Sequence, residues 1–178
     1  RVPADAMVGA AGGGWAVAMT TLGNERGRVV TDNANYAKAL VQLARDRGRL
    51  ADPVIRQRLM HLWSRDMVMQ WLKARAEAAQ ALQRPPGPEG SVRKLHRAHL
   101  AQGAAALACD LAGTGSTAWH RQHHDDEQLS YELMYSRMAS IAGGTNEIQR
   151  NIIGEQTLGL PREPSDDNVI PFRELRRS

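Results

Sequence analysis

The sequence has very little cysteine and no long apolar run, and each absence excludes a class of protein. Cys109 is the only cysteine among 178 residues, so no disulfide can form within the chain, and a reducing cytoplasm is the compartment that fits best. It lies in the apolar run AAALACDLAG, where we expect a small buried side chain instead of a reactive thiol. No apolar run approaches the ~20 residues that span a bilayer, and the first residues show no signal-peptide pattern. The composition therefore predicts no membrane insertion.

The chain also lacks a strong excess of one charge. Its formal net charge is +4, and the arginines are spread along the sequence instead of being collected in one block. A protein that binds nucleic acid usually concentrates its positive charge on one surface or in one segment. The charge pattern therefore favours no nucleic-acid partner.

Metal-binding motifs are missing as well. The segment at residues 120–127, HRQHHDDE, concentrates histidine and carboxylate side chains. However, the chain has no H-E-x-x-H motif, no E-x-x-H of a di-iron bundle and no cysteine pair. We interpret this segment as a solvated loop and assign no metal site.

What the sequence has in abundance is helix-forming residues. It contains four tryptophans but one phenylalanine, with long runs of alanine and leucine and few β-branched stretches, which favours helices over strands. Apolar residues recur at spacings of three and four over residues 15–47, 54–82 and 91–112, and a fourth helical piece starts near residue 130. Glycine and proline separate these segments. The pattern predicts an all-α protein, an antiparallel four-helix bundle.

The segment at residues 141–160 has the most informative motif. Gly143 and Gly144 predict a tight turn, and Thr145 is a suitable N-cap for a helix whose apolar residues recur at spacings of four. The unpaired amides of the first helical turn could meet a phosphate, a carbonyl or a flavin edge. From the residues alone, this is a generic anion-binding corner.

As a string, GGTNEIQRNIIGE followed by LGLPR closely resembles the C-terminal signature of acyl-CoA dehydrogenases. The similarity extends over nearly the whole chain and implies the same helical bundle. On this basis residues 1–13 close a middle β-domain, residues 14–160 form the C-terminal helical domain, and residues 161–178 are a tail. The resemblance also implies that residue 1 lies deep inside a longer parent sequence and that the isolated chain is inactive.

The family resemblance implies an FAD-dependent reaction on an acyl-CoA thioester, in which a carboxylate removes the α-proton while FAD takes a hydride from the β-carbon. Most members place this glutamate where the present chain has Gly143. A minority, including isovaleryl- and long-chain acyl-CoA dehydrogenases, carry the base on the first long helix, before a recurrent arginine. Glu25 is therefore the expected base and Arg26 the expected substrate-binding residue, while the Gly143 N–H could bond the thioester carbonyl. Taken alone, a Glu-Arg pair on a helix is usually a surface or ion-paired feature, and this is the alternative role of Glu25.

The same resemblance implies four residues near FAD. Arg47 or Arg49 is similar to an arginine that approaches the flavin pyrophosphate across a dimer interface, although a solvated basic turn explains both as well. Thr145 and Glu147 occupy positions near the flavin, and helix capping is their alternative role.

The implied partners are an acyl-CoA substrate, an electron-transfer flavoprotein and further subunits in a homo- or hetero-oligomer, a dimer or tetramer. The alternative function is that of a non-catalytic subunit, which completes the flavin site and the assembly of a heteromeric acyl-CoA dehydrogenase. The sequence does not indicate the length or branching of the acyl chain.

Overall fold

Helices make up the described part of the chain, in which no strand occurs. The structure is a computed structural model that describes residues 3–29, 35–84, 89–117, 124–162, 164 and 170–174, with only the backbone at 23–29, 117, 124–127 and 172. The α-helices of these ranges are α1 (Gly14–Val29), α2 (Tyr36–Asp46), α3 (Pro53–Ala81), α4 (Glu89–Ala112), α5 (His124–Tyr135) and α6 (Asn146–Ile152). Short 3-10 segments occupy Ala4–Ala6, Gly113–Thr117, Ser136–Ser140 and Phe172–Glu174, and a π-helical turn follows α6 at Ile153–Thr157.

The start of α3 shows how local sequence sets a helix boundary. The carboxylate of Asp52 accepts hydrogen bonds from the backbone N–H groups of Val54 (2.9 Å) and Ile55 (3.3 Å). Pro53 occupies the first helical position, where its missing N–H costs nothing. Gly48, with a φ of 65°, ends the turn after α2. The predicted helix at residues 54–82 is confirmed to within one residue at each end.

The prediction of one helix over residues 15–47 was wrong, because α2 starts anew at Tyr36. Asn35 has non-helical backbone angles, and its side chain accepts a hydrogen bond from the Lys38 N–H at 3.0 Å. An asparagine side chain that bonds the backbone ahead of it favours a helix start over a continuing helix. The mixed apolar spacings of this stretch therefore belong to two helices.

Two further boundaries differ from the predictions. α4 includes Glu89, so Ser91, which we expected at its cap, lies inside the helix and is buried. α5 begins at His124, six residues before the expected start at Ser130. Polar residues in a first helical turn carry little apolar periodicity, so the sequence pattern detects such helices late.

α2 and α4 both run antiparallel to α3. The backbone N–H of Ala37, in the first turn of α2, donates to the buried carboxylate of Asp66 on α3 at 3.3 Å, whereas the far end of α2 leads into the start of α3. Arg58, near the start of α3, forms an ion pair of 2.6 Å with Asp110, near the end of α4. The start of α2 therefore lies beside the middle of α3, and the start of α3 lies beside the end of α4.

α5 completes the antiparallel bundle. The thiol of Cys109, near the end of α4, donates to the carbonyl of Leu129 in α5 at 3.6 Å. Beyond α5 the chain reaches Ser140, whose hydroxyl accepts a hydrogen bond from Gln102, in the middle of α4, at 2.6 Å. α5 thus runs back along α4, which confirms the predicted four-helix bundle.

The hydrophobic core lies between α2, α3 and α4. Half of its buried residues come from α4, which also contacts α1, α5 and α6. The core consists of Leu40, Ala44, Ile55, Leu59, Leu62, Leu100, Ala104, Leu107, Ala108 and Leu111. α4 is therefore the central helix on which the other elements are arranged.

A row of apolar side chains stays exposed along α5 and the segment after it. Tyr131, Met134, Met138 and Ile141 follow one another at spacings of three and four and are between 42% and 65% exposed. The ring of Tyr135 stacks on that of Tyr131 with centroids 5.6 Å apart. We call these five residues the α5 row. Separately, no helix in the described ranges is long and apolar enough to cross a membrane.

Candidate functional site

The predicted signature segment forms a tight turn and a short helix against α4. Gly143 and Gly144 have φ values of 70° and 100°, which side chains with a Cβ adopt only at a cost. Thr145 is the N-cap of α6, and its hydroxyl oxygen accepts a hydrogen bond from the Ile148 N–H at 3.3 Å. The structure confirms both the turn and the cap. We call residues 141–149 the signature corner.

Polar side chains of α4 hold both ends of the turn. Gln102 donates to the Ser140 hydroxyl just before the corner, at 2.6 Å. The ammonium of Lys94 donates to the Asn146 side-chain oxygen just after the turn, at 3.4 Å. Asn146 in turn donates to the Ser140 hydroxyl at 3.0 Å. These bonds form one network from α4 through both ends of the segment that carries the two glycines.

Gln149 supports the turn from the α6 side. It is fully buried, and its side-chain nitrogen donates to the carbonyl groups of Gly143 (3.2 Å) and Gly144 (3.3 Å). A Cβ added to Gly144 would lie 2.7 Å from this nitrogen. The side-chain oxygen of Gln149 is buried and has no hydrogen-bond partner in the described part of the chain. The turn and this glutamine are therefore closely fitted to each other.

Glu147 lies on the outer surface of the corner. Its carboxylate pairs with Arg150 at 3.3 Å, and its side chain is 74% exposed. Hydrogen bonds from its own backbone N–H and from the Thr145 side chain lower its pKa below the ordinary value, and Arg150 adds to this effect. Glu147 is therefore an ionised carboxylate at the start of α6, where negative charge stabilises a helix.

Arg47 and Arg49 lie in the turn between α2 and α3. Arg47 is the residue after the last helical position of α2. The guanidinium of Arg49 pairs with Asp52 at 3.2 Å, and this bond is the main reason why the pKa of Asp52 lies below its ordinary value. Arg49 therefore contributes to the turn that starts α3.

This arginine-containing turn and the signature corner lie at different ends of the bundle. The corner contacts α4 at Lys94 and Gln102, whereas the first turns of α3 meet α4 at Asp110. Gln102 and Asp110 are about 12 Å apart along the helix axis, and the stretch from Arg58 back to Pro53 adds about 7 Å. One chain therefore separates the two groups by about 20 Å and does not bring them into one site.

Glu25 and Arg26 fall within α1, but their side chains lie outside the described residues. The backbone of α1 contacts α4, as does that of α6. The helix of the expected base and the signature corner thus share α4 as a neighbour.

The histidine-rich segment lies largely outside the described residues, including His120 and His123. Among the residues that are described, no group of three metal-ligand side chains is close enough to hold a metal ion. His96, on α4, is within hydrogen-bond distance of the Arg65 carbonyl at 2.7 Å, which agrees with a packed side chain.

The polar network beneath the corner was not predicted from the sequence. Lys94 is 1% exposed, although lysine is among the residues least often buried. One signal was available, because Lys94 lies in register with Ala98, Ala101 and Ala105, at spacings of four, three and four on the apolar face of α4. Gln149 offered no such signal, because a single glutamine in a short helix has no spacing to test.

Comparison with known proteins places the whole helical region in one family. A family model described as the acyl-CoA dehydrogenase C-terminal domain matches residues 12–158. Acyl-CoA dehydrogenase IpdE1 of Mycobacterium tuberculosis is 38% identical over 167 residues, which make up 92% of this chain and 42% of that protein. The chain thus spans less than half the length of this relative.

Two solved structures are similar in fold. The Tcur3481-Tcur3483 steroid ACAD matches with a TM-score of 0.79 and 22% identity, over 92% of this chain and 44% of that chain. The ChsE4-ChsE5 complex from Mycobacterium tuberculosis matches with a TM-score of 0.71 and 25% identity, over 92% of this chain and 45% of that chain.

Proposed function

This chain belongs to the acyl-CoA dehydrogenase family as its C-terminal domain, and from this premise we propose that the whole protein dehydrogenates an acyl-CoA thioester between its α- and β-carbons. The match to the family model over residues 12–158 carries the proposal. When bound, FAD supplies the acceptor for the hydride that leaves the β-carbon. Because the chain spans 42% of the length of IpdE1, we expect the isolated chain to be inactive.

We propose Glu25 as the base that removes the α-proton. Gly143 occupies the position where most of the family has this glutamate, and it has no side chain that could accept a proton. α1, which contains Glu25, contacts α4, the helix against which the signature corner packs. A base on α1 could thus reach a substrate held at the corner, with Arg26 beside it. In this arrangement the Gly143 N–H bonds the thioester carbonyl as negative charge develops there.

The described residues suit FAD if two subunits share each flavin site. The Thr145 hydroxyl accepts a bond from Ile148 and donates its hydrogen to the exposed Glu147 carboxylate, so a flavin would replace Glu147 as the acceptor of that hydrogen. Arg47 and Arg49 have the charge and the donors that a pyrophosphate needs. They lie about 20 Å from the corner along the bundle, a distance that follows from the helical rise. Arginines from one subunit would therefore complete a site whose corner comes from another, with Glu147 at its edge.

An oligomer agrees with the exposed apolar surface. The α5 row leads directly to the signature corner, and its side chains are between 42% and 65% exposed. The structurally similar ChsE4-ChsE5 protein is a complex of two different chains. We propose that the present chain also assembles with further subunits, in the cytoplasm, and that an electron-transfer flavoprotein reoxidises the enzyme.

The decisive experiment is single-turnover reduction of the flavin by acyl-CoA in the full-length parent with its natural partner. We expect the Glu25→Gln variant to bind acyl-CoA but to bleach the flavin about 100- to 10,000-fold more slowly, the range for loss of a general base. Glu77→Gln is the matched control, because Glu77 is a solvent-exposed partner of Lys73 on α3. This control should bleach at the wild-type rate.

The outcomes separate the two functions considered. If Glu25→Gln bleaches as fast as wild type, Glu25 is not the base, and the chain is a non-catalytic subunit beside a catalytic one. If no acyl-CoA from a panel of straight and branched chains bleaches the wild-type flavin, the proposed reaction is wrong.

A further inference from the structure

Lys94 is a buried cation at an unusual place. The chain has three lysines, of which Lys38 and Lys73 lie at the surface, whereas Lys94 is 1% exposed. Burial lowers the pKa of its ammonium below the ordinary value, and the negative charge of Glu147 opposes this effect. Burying a charged ammonium is costly unless the group forms hydrogen bonds. An apolar side chain would fill the same space at a lower cost in desolvation, so the presence of a lysine here needs an explanation.

The hydrogen bond of Lys94 leads to the glycine turn through Asn146. Its ammonium donates to Asn146 at 3.4 Å, and Asn146 donates to the Ser140 hydroxyl at 3.0 Å. Gln102 holds the same hydroxyl at 2.6 Å. Lys94 and Gln102 are eight residues apart and so lie on nearly the same face of α4. Side chains on this face therefore form hydrogen bonds to the chain on both sides of Gly143 and Gly144.

Gln149 restrains the turn itself from the α6 side. Its side-chain nitrogen donates to the Gly143 carbonyl at 3.2 Å and to the Gly144 carbonyl at 3.3 Å. Since Gln149 is 0% exposed, surrounding side chains prevent it from swinging away. The orientation of the peptide groups at residues 143–145 is thus set by buried side chains and not by the turn alone.

We propose that Lys94 and Gln149 are positioning residues, which fix the peptide groups of the glycine turn from its buried side through Asn146 and through the two glycine carbonyls. In this role they act through the turn and do not themselves contact the substrate or the cofactor. Their role in catalysis rests on the proposed function, since it assumes that this turn faces the substrate and the flavin. Their role in ordering the turn does not depend on the proposed function.

The test is amide hydrogen exchange of the flavin-loaded, full-length parent with the Lys94→Met substitution, which keeps the length of the side chain and removes its charge and its donors. We expect the segment at residues 141–149 to exchange about tenfold faster or more, the effect of losing a hydrogen bond to a charged group. The segment at residues 53–66 on α3 should be unchanged. Lys38→Met, at an exposed position on α2, is the control and should alter neither segment.

Two further variants keep the proposal testable if Lys94→Met does not fold. Asn146→Ala removes the acceptor, leaves Lys94 in place and should accelerate exchange in the same segment. Lys94→Gln keeps a donor without the charge and should restore part of the protection. Unchanged exchange at residues 141–149 in both Lys94→Met and Asn146→Ala, or equal acceleration in α3, would overturn the proposal.

Flavin bleaching then tests the link to catalysis. Lys94→Met should lower the bleaching rate at saturating acyl-CoA by about tenfold and leave the half-saturating concentration unchanged, because a displaced turn affects alignment more than binding. If wild type itself does not bleach, the proposed function fails, whereas the exchange result still decides whether Lys94 orders the turn. Faster exchange with an unchanged bleaching rate would confine the role of Lys94 to folding and refute its role in catalysis.

Discussion

Replacing Gly144 by alanine tests how closely the glycine turn is fitted to Gln149. The φ of Gly144 is 100°, and holding an alanine in this region costs about 1–2 kcal/mol. The added Cβ would lie 2.7 Å from the Gln149 nitrogen, so the amide must shift and weaken its bonds to two carbonyl groups, each worth about 1 kcal/mol. The sum predicts that Gly144→Ala lowers the free energy of unfolding by about 2–4 kcal/mol.

Gly48→Ala separates the two contributions. Gly48 also has a positive φ, 65°, but nothing lies within 4 Å of a Cβ placed there. We therefore expect Gly48→Ala to lower the free energy of unfolding only by the cost of the positive φ, about 1 kcal/mol. The assay is urea unfolding of each variant, followed by helical circular dichroism. In the double variant Gly144→Ala, Gln149→Ala the clash is absent, so its cost should be smaller than the sum of the single costs. Equal losses for Gly144→Ala and Gly48→Ala would refute the reasoning about Gln149.

Two further predictions concern acidic residues of the bundle. Burial raises the pKa of Asp66 above its ordinary value of 3.8, although the hydrogen bond from Ala37 and the charge of His96 oppose this. Because the folded state then binds the proton more tightly than the unfolded state, the free energy of unfolding of the wild type falls as the pH rises from 3.8 through the pKa of the folded state. Asp66→Asn keeps an acceptor for the Ala37 N–H but cannot titrate. Its unfolding midpoint in urea should therefore rise relative to that of wild type between acidic and neutral pH. A difference between the two midpoints that does not change with pH would contradict this. Asp52→Ala removes the cap of α3 and should lower the free energy of unfolding by about 1 kcal/mol in thermal unfolding, whereas Asp52→Asn should lower it little. Equal losses of stability in the two variants would show that the cap is unimportant.

The start of a helix could be predicted from the sequence where it depends on local chemistry. Asp52 followed by a proline identified the start of α3, and Thr145 identified the cap of α6, because a capping side chain bonds to amides two or three residues away. Asn35 has the same chemistry at the start of α2. It was overlooked because apolar residues on both sides of it continue at helical spacings.

Which apolar face is buried was not predictable. The apolar residues that recur at helical spacings along α3 include Ile55, Leu59, Trp63 and Trp71. The first two are in the core, whereas Trp63 is 42% exposed and Trp71 is 63% exposed. A periodic pattern shows that a helix has an apolar face, but the partner of that face is set by the arrangement of the other elements.

The buried polar residues of the candidate site were the least predictable. Composition rules place lysine and glutamine at the surface, and only the packing of α6 on α4 makes Lys94 and Gln149 neighbours of the same turn. The resemblance to acyl-CoA dehydrogenases located this turn, yet it said nothing of the side chains beneath it. The expected roles of Glu25, Arg26, Arg47 and Arg49 remain predictions for the experiments above.

The central place of α4 has a consequence for the order in which the bundle forms during protein synthesis. The ribosome releases α2 and α3 first, and these helices together supply half of the core residues. The other half lies on α4 between Leu100 and Leu111. Until that stretch has left the exit tunnel, the apolar faces of α2 and α3 have no neighbour from α4, a state in which nascent chains are prone to aggregate. Slow translation while residues 100–111 are still inside the exit tunnel would therefore prolong the most vulnerable stage in the synthesis of this domain.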